Sequence, residues 1–567
     1  MVELYEPIKH NPEKCQGSAQ TFLIYHHLYY HYKLQQYRLG DIKTRPPCQF
    51  VFVEGKPGTG KTFVTKTLRN ITRMLSNNNN SDMASAPFGC AAALIDGSTH
   101  CRSLSIPAGP RLHKPPTNIK NQKADHVKAM KKAMCEVIAR FMDEHSQSGR
   151  PYWAWLKHRH EEYRRPTVIR DKEENVIHTE TVDLKREVFN RPWGGIPFIY
   201  SFGDCAQLPP VMMTALYDDK KAKANTADML GRIAINEFLD PPNKRQCEST
   251  IVVMDQVLRQ DNPEFLNILT GMRNGSLESK DVDIILSRCL DKLSKSDKES
   301  FKDAIHLVPQ WKMAHPIVFK YILTMKTPLA KMNASLQSCC RNGVNHCVKE
   351  SSLPLRLALC VGAKVLLLSN FVVEYKIMNG SVGTVTDIVY KDKAGPRDSK
   401  ALPAYVTVYF PKSCIPEGDK LFPDKDGRFV SIPTVTERCE KKCCSITMMP
   451  LRVCKSITIH KSQGMTIGEN EIFTKVVLYL PDSLSGRKTP GSELVGMSRA
   501  KNLNCLAIGN ESKNLSVQDI QKIGRTQAYD SRRKFESRLK RKAEKTQKNV
   551  INAIKRLDEE KTYEGGM

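Results

Sequence analysis

The stretch Gly55-Lys56-Pro57-Gly58-Thr59-Gly60-Lys61-Thr62 constrains this chain more than any other. It fits G-x-x-x-x-G-K-[ST], the pattern of a phosphate-binding loop. Its glycines let successive backbone N–H groups curl around a β-phosphate, and a helix starting there presents the positive end of its dipole. Lys61 is placed to reach the β- and γ-phosphates, and the Thr62 hydroxyl to hold Mg²⁺. In a chain of 567 residues, ordinary residue frequencies give a chance match about once in a hundred. The apolar run Gln49-Phe50-Val51-Phe52-Val53-Glu54 reads as a buried strand before the loop, and Phe63 to Leu75 as a helix after it. The loop alone leaves kinase, switch and motor open.

The second apolar run, Phe198-Ile199-Tyr200-Ser201-Phe202, also ends in a polar motif, Gly203-Asp204. Strands capped this way read as a parallel α/β sheet, with ligands at the carboxyl ends of the strands. A similar pattern resumes after about residue 245 and ends near 510, which suggests two such domains. Short β-type runs with Gly, Pro and Asn turns, among them Lys364-Val365-Leu366-Leu367-Leu368, suggest a small β-barrel inserted in the second. The expected organisation is a helical lead-in over 1–45, a first domain over 46–240 with a charged insertion at about 165–190, a second domain over 241–362 and 446–512, the inserted barrel over 363–445, and a basic tail over 513–567. In that tail Arg532 to Lys542 is a basic run with helical periodicity, suited to nucleic acid, to nuclear import or to a solvated helix.

Lys and Arg number 87 against 60 Asp and Glu, a net charge of +27, which favours a polyanionic partner. No stretch of ~18 apolar residues appears, so no membrane span is expected. Eighteen cysteines in a chain of this length read as reduced thiols. Cys439, Cys443, Cys444 and Cys454 lack the spacing of paired knuckles, which favours free thiols over zinc.

A phosphate loop needs a carboxylate on a neighbouring strand end to hold its metal. Asp143 fits, ending Val137 to Met142, and Glu144 beside it suits the general base that polarises water. Asp204 and Gln207, in Gly203 to Val211, suit a sensor of the γ-phosphate, although a plain turn has the same residues. Arg259 and Arg499 suit arginine fingers from a second domain. Taken singly, each is more often a surface ion-pair residue. Thr458, His460, Lys461, Ser462 and Gln463 end an apolar segment with groups suited to phosphodiester contacts.

In this order the motifs resemble those of the PIF-type (petite integration frequency) DNA helicases, RecD-like members of helicase superfamily one. The resemblance runs from about residue 8 to 512. Gly203 to Val211 is its most distinctive part, and Leu258-Arg259-Gln260, Asn379 to Val385, Thr458 to Thr466 and Met497-Ser498-Arg499-Ala500 follow in family order. The resemblance implies two RecA-like domains with parallel sheets, an SH3-like barrel inserted in the second, and movement 5′ to 3′ on single-stranded DNA. It implies ATP and Mg²⁺ as cofactors, tailed duplex DNA as substrate, and work in repair, recombination or genome and telomere maintenance, in the nucleus or alternatively the mitochondrion. It gives Gly97-Ser98-Thr99-His100 a strand-contacting role and makes Gln16 the adenine-reading glutamine. The chain departs from the pattern at His145 and Gln147, which make the strand end at Asp143 more polar, at Arg140, which interrupts that strand, and at Phe88, where the family tends to have Thr. Those departures motivate one alternative, a nucleic-acid-binding helicase relic, with a mobile element as one source. A P-loop kinase or switch is a third reading, disfavoured by the two arginines and by Gly203 to Val211.

Overall fold

The computed structural model describes residues 18–564, apart from 119–123, 166, 171–175, 181–190, 261, 339–350, 352, 373–374, 392–400, 414, 421, 423–425, 439–443, 481–489, 510–515 and 526. The chain divides into two units. The first comprises residues 1–260, 489–491 and 524–567, and the second residues 261–488 and 492–523.

The first unit opens with helix α1, Ala19–Leu39, whose N-cap Ser18 accepts from the Thr21 N–H and whose C-cap Gly40 takes the left-handed conformation. Strand β1, Cys48–Gly55, is buried at all eight positions and leads into the loop. Helix α2, Lys61–Ser76, leaves it, burying Val64 and Leu68 one turn apart. Then come β2 (Asp82–Ala86), β3 (Ser98–Thr99), β4 (Ala139–Met142), α3 (Arg150–Arg164), β5 (Phe198–Gly203), α4 (Ala227–Leu239) and β6 (Cys247–Met254). The six strands form one parallel sheet in the order β3-β2-β4-β5-β1-β6. Strand side chains alternate between faces. Phe50 and Phe52 therefore join Trp153, Trp193 and Phe238 on one side, while Val51 and Val53 join Phe22, Leu68 and Tyr200 on the other. Both faces are covered, as a parallel sheet requires.

Strand β6 pairs in register with β1 from Cys48↔Cys247 to Gly55↔Met254. The expected boundary at 240 is thus displaced: the first sheet continues past it. Cys247 and Glu248 gave that strand a polar start, which hid it in the sequence.

The expected basic tail is also corrected. Residues Gln527–Glu564 form one long helix that belongs to the first unit. Leu539 and Ala543 enter the core on one face of the sheet, and Val550 and Ile554 the core on the other. Between them the helix crosses the edge strand β6. The Ile251 N–H donates to Thr546 Oγ1 at 3.1 Å, and the Ile251 carbonyl accepts from Gln547 Nε2 at 3.3 Å. An edge strand otherwise exposes a row of unpaired backbone groups, and here two side chains and a helix cover them.

In the second unit α5 (Pro263–Asn274) is followed by β7 (Ile305–Val308). Strands β8 (Lys364–Leu367), β9 (Val382–Val389), β10 (Tyr405–Tyr409), β11 (Phe429–Pro433) and β12 (Leu451–Val453) form an antiparallel sheet in the order β11-β10-β9-β8-β12. This lies where the barrel was expected, but its last strand falls beyond 445, and among the described residues no pairing joins its two edges. Strands β13 (Ser456–Thr458), β14 (Val476–Tyr479) and β15 (Leu506–Gly509) join β7 in a parallel sheet ordered β13-β7-β14-β15, with helix α6 (Ser492–Met497) before the last strand. No described helix is long and apolar enough to cross a membrane.

Candidate active site

The glycine-rich loop closes the carboxyl end of β1 in the first unit. Gly58 and Gly60 both have positive φ, which aims the following N–H groups inward. Thr59 is buried and its hydroxyl donates to the Lys56 carbonyl at 2.9 Å, pinning the turn. Lys61 Nζ donates to the carbonyls of Gly55 at 2.6 Å and Lys56 at 3.0 Å, which holds the ammonium at the mouth of the loop. Thr62 stands in the first turn of α2, half-buried, so its hydroxyl shares that mouth with the helix N-terminus.

The chain after β6 straps this loop. Lys56 N–H donates to the Met254 carbonyl at 3.2 Å and Leu258 N–H to the Gly58 carbonyl at 2.7 Å. The Lys56 ammonium lies 3.5 Å from Asp255. A Cβ on Gly58 would lie 2.6 Å from Arg259 Cβ and 3.3 Å from Gln260 Oε1. Arg259 therefore belongs to the first unit, in contact with the loop, and the expectation that it comes from a second domain is corrected. The close approach carries a prediction. Gly58→Ala should cost about 1–3 kcal/mol through overpacking, on top of the left-handed strain, read as a lower thermal midpoint of the purified chain. An unchanged midpoint would contradict the strapped loop.

Asp143 follows β4 and its N–H donates to the Ser85 carbonyl at 2.9 Å. Burial pushes its carboxyl up to about 6, opposed by the Glu144 N–H and by the charge of Lys61. A desolvated carboxylate facing a lysine suits a cation. Glu144 sits in the left-handed region (φ 55°, ψ 47°) with its N–H donating to Asp143 Oδ1 at 2.9 Å. Such a conformation is uncommon for glutamate, and strain of this kind clusters at functional sites.

The strand end after β5 is buried. Asp204 Oδ1 accepts from the Ala206 N–H at 3.0 Å, and Oδ2 accepts from Gln207 Nε2 at 3.4 Å. The two residues named as a phosphate sensor thus hold each other.

The polar residues around β4 are accommodated inside. Arg140 is fully buried, donates to Ser85 Oγ, and is drawn down to about 9 by burial and by Arg69. Ser85 Oγ also meets His100 Nδ1 at 2.6 Å, and His100 Nε2 meets Ser148 Oγ at 3.0 Å. Burial first, and then Arg140, hold His100 well below the usual imidazole range. With both ring nitrogens engaged and no exposed surface, His100 does not offer its side chain to a DNA strand, and that expectation is corrected.

Gln16 lies outside the described residues. Among the described residues, Gln20 in the first turn of α1 reaches the loop, donating from Nε2 to the Thr59 carbonyl at 3.0 Å. Nothing local in the sequence links residue 20 to residue 59. Their only shared signal is a glutamine at the start of a helix that precedes the loop's strand.

The remaining candidates lie in the second unit. Arg499 is buried, its Nε donating to the Val495 carbonyl at 2.9 Å and its Nη2 to Ser498 Oγ at 3.0 Å. Thr458 ends β13 and is buried, as are Ser462 and Gln463. Ser462 Oγ donates to the Ile459 carbonyl at 2.7 Å. His460 is half-buried, which lowers its affinity for a proton, and Lys461 is exposed. Of the five, these two offer the most accessible side chains. Cys444 and Cys454 are buried free thiols, while Cys439 and Cys443 lie outside the described residues.

Residues 41–283 match the family model described as PIF1-like helicase. Over 324 residues the chain is 24% identical to the ATP-dependent DNA helicase PIF1 of Danio rerio, a match covering 56% of this chain and 41% of that protein. The chain thus spans well under two thirds of this relative's length. Among solved structures, the Pif1 helicase of Candida albicans shares the fold at a TM-score of 0.60 and 20% identity, over 90% of this chain and 98% of that one. A Bacteroides Pif1 helicase solved with ADP-AlF3 and single-stranded DNA gives a TM-score of 0.57 at 22% identity, over 88% of this chain and 96% of that one.

Proposed function

We propose that this chain, which matches the PIF1-like helicase model over residues 41–283, is an ATP-driven motor that moves 5′ to 3′ along single-stranded DNA and unwinds duplex. One observation carries the reading. Lys61, the 254–260 strap, Asp143 and the Asp204–Gln207 pair all stand at strand ends of one parallel sheet, in the order that the matched family segment spans. A phosphate loop alone would serve a kinase or a switch equally well.

In this reading Lys61 leaves its loop carbonyls for the β- and γ-phosphates of ATP. Thr62 and Asp143 would hold magnesium, which would supply neutralising charge to the phosphate oxygens. Glu144 orients the attacking water and accepts its proton. Gln207, tethered by Asp204, senses the γ-phosphate, and Arg259 neutralises charge developing there. Gln16 keeps the adenine-reading role that the resemblance implies, and Gln20, whose amide rests on the loop, adds a second amide near the nucleotide. Arg499 keeps the phosphate-contact role that the motif order implies. Of Thr458, His460, Lys461, Ser462 and Gln463, the accessible His460 and Lys461 contact a DNA backbone, and the charge of +27 supports a channel that follows phosphates without reading bases. Repair, recombination or telomere maintenance in the nucleus, with the mitochondrion as the other compartment, belongs to the same proposal.

The relic reading rests on the altered surroundings of Asp143. Turnover separates the two. ATP hydrolysis by the full chain should rise severalfold when single-stranded DNA is added. Background hydrolysis with and without DNA would favour the relic.

A further inference from the structure

Beneath the loop, a second group of side chains is gathered that ATP chemistry does not use. Glu54, at the end of β1, His145, just past Asp143, and Cys205, just past β5, are all buried, with relative exposures of 3%, 1% and 1%. Their ligand atoms all lie within 4.8 Å of one another. His145 Nε2 is 3.2 Å from Glu54 Oε2, and Glu54 Oε1 accepts the Cys205 N–H at 2.8 Å. Glu536, from the C-terminal helix, forms a second group of the same tightness with Glu54 and Asp204. All five belong to the first unit.

The imidazole is held as a ligand would be. Its ring stacks on Phe52 at 4.2 Å and 17°, and its Nδ1 lies 3.3 Å from Ser201 Oγ. Fixing one ring nitrogen through a neighbouring polar group and aiming the other at the ion is the usual arrangement around metal-bound histidine. Gly203 makes room for it, since a Cβ there would sit 2.5 Å from His145 Cδ2.

We propose that Glu54, His145 and Cys205 bind one divalent transition-metal ion. One sulfur, one imidazole and one carboxylate gathered at a buried spot suit zinc. Binding displaces the Cys205 thiol proton to solvent, and the thiolate sulfur forms the new bond to the ion. The ion ties together the strand that feeds the phosphate loop, the segment after Asp143 and the 203–207 turn. The site is separate from the magnesium position at Thr62 and Asp143, and it stands or falls independently of the helicase reading.

The test is a cobalt titration of the purified full chain after chelator dialysis. The expected result is one equivalent with a thiolate-to-cobalt charge-transfer band of single-sulfur intensity, bleached by zinc. That equivalent should be lost in Cys205→Ser and bound more than about tenfold more weakly in His145→Gln, with circular dichroism reporting that each variant is folded. Absence of cobalt and zinc uptake by the folded wild type would overturn the proposal, as would uptake unchanged in both variants. Should neither variant fold, the wild-type band decides: a multi-sulfur intensity would point to other cysteines and reject this site.

Discussion

Lys61→Ala is expected to reduce DNA-stimulated ATP turnover by at least about 10²–10³-fold, the cost of removing one preorganised donor from a developing phosphoryl charge. The size follows from its position. The ammonium is fixed at the mouth of the loop by two carbonyls, 2.6 and 3.0 Å away, so little reorganisation separates it from bound phosphates. Alanine keeps the first turn of α2 helical, and Lys61 is only half-buried. The variant should therefore fold, with wild-type circular dichroism and a wild-type thermal midpoint. A steady-state ATPase assay with saturating single-stranded DNA checks it, and full turnover in the variant would remove the loop from the mechanism.

Leu539→Ala should cost about 2–5 kcal/mol of stability, a large share of the ~5–15 kcal/mol that holds a typical domain together. Leu539 is 1% exposed and packs in the core with Trp153, Trp193 and Phe238. Its removal leaves a cavity at the point where the C-terminal helix meets that core. Loosening the helix also withdraws Thr546 and Gln547 from the open edge of β6. Denaturant or thermal unfolding of the purified chain measures the loss. A shift no larger than that of a surface Lys540→Ala control would mean that the helix does not hold the first unit.

What could be read from the sequence was contiguous. The phosphate loop, Asp143-Glu144 and Gly203 to Val211 each carry their chemistry within a few residues, and each stands at a strand end of one sheet. What could not be read depends on distant partners. Arg259 lies against Gly58 because β6 pairs with β1, and a strand beginning Cys-Glu-Ser-Thr gave no apolar signal until Ile251. The C-terminal helix read as a basic tail, with no place in a core, because its apolar contacts, Leu539, Ala543, Val550 and Ile554, are thinly spread among charges. His100 took a DNA role from motif order, while its burial was decided by Ser85 and Ser148. The departures at Arg140 and His145 were visible as anomalies, but their partners Ser85, Glu54 and Ser201 emerge only once β1, β2 and β5 are assembled.

The central claim is coupled, directional unwinding. Strand separation should be measured with the full chain, ATP and Mg²⁺ on two duplexes of one sequence, tailed at the 5′ or the 3′ end. The account predicts ATP-dependent separation of the 5′-tailed duplex and little of the 3′-tailed one. Separation of neither duplex by a chain that hydrolyses ATP, or preference for the 3′ tail, would contradict it.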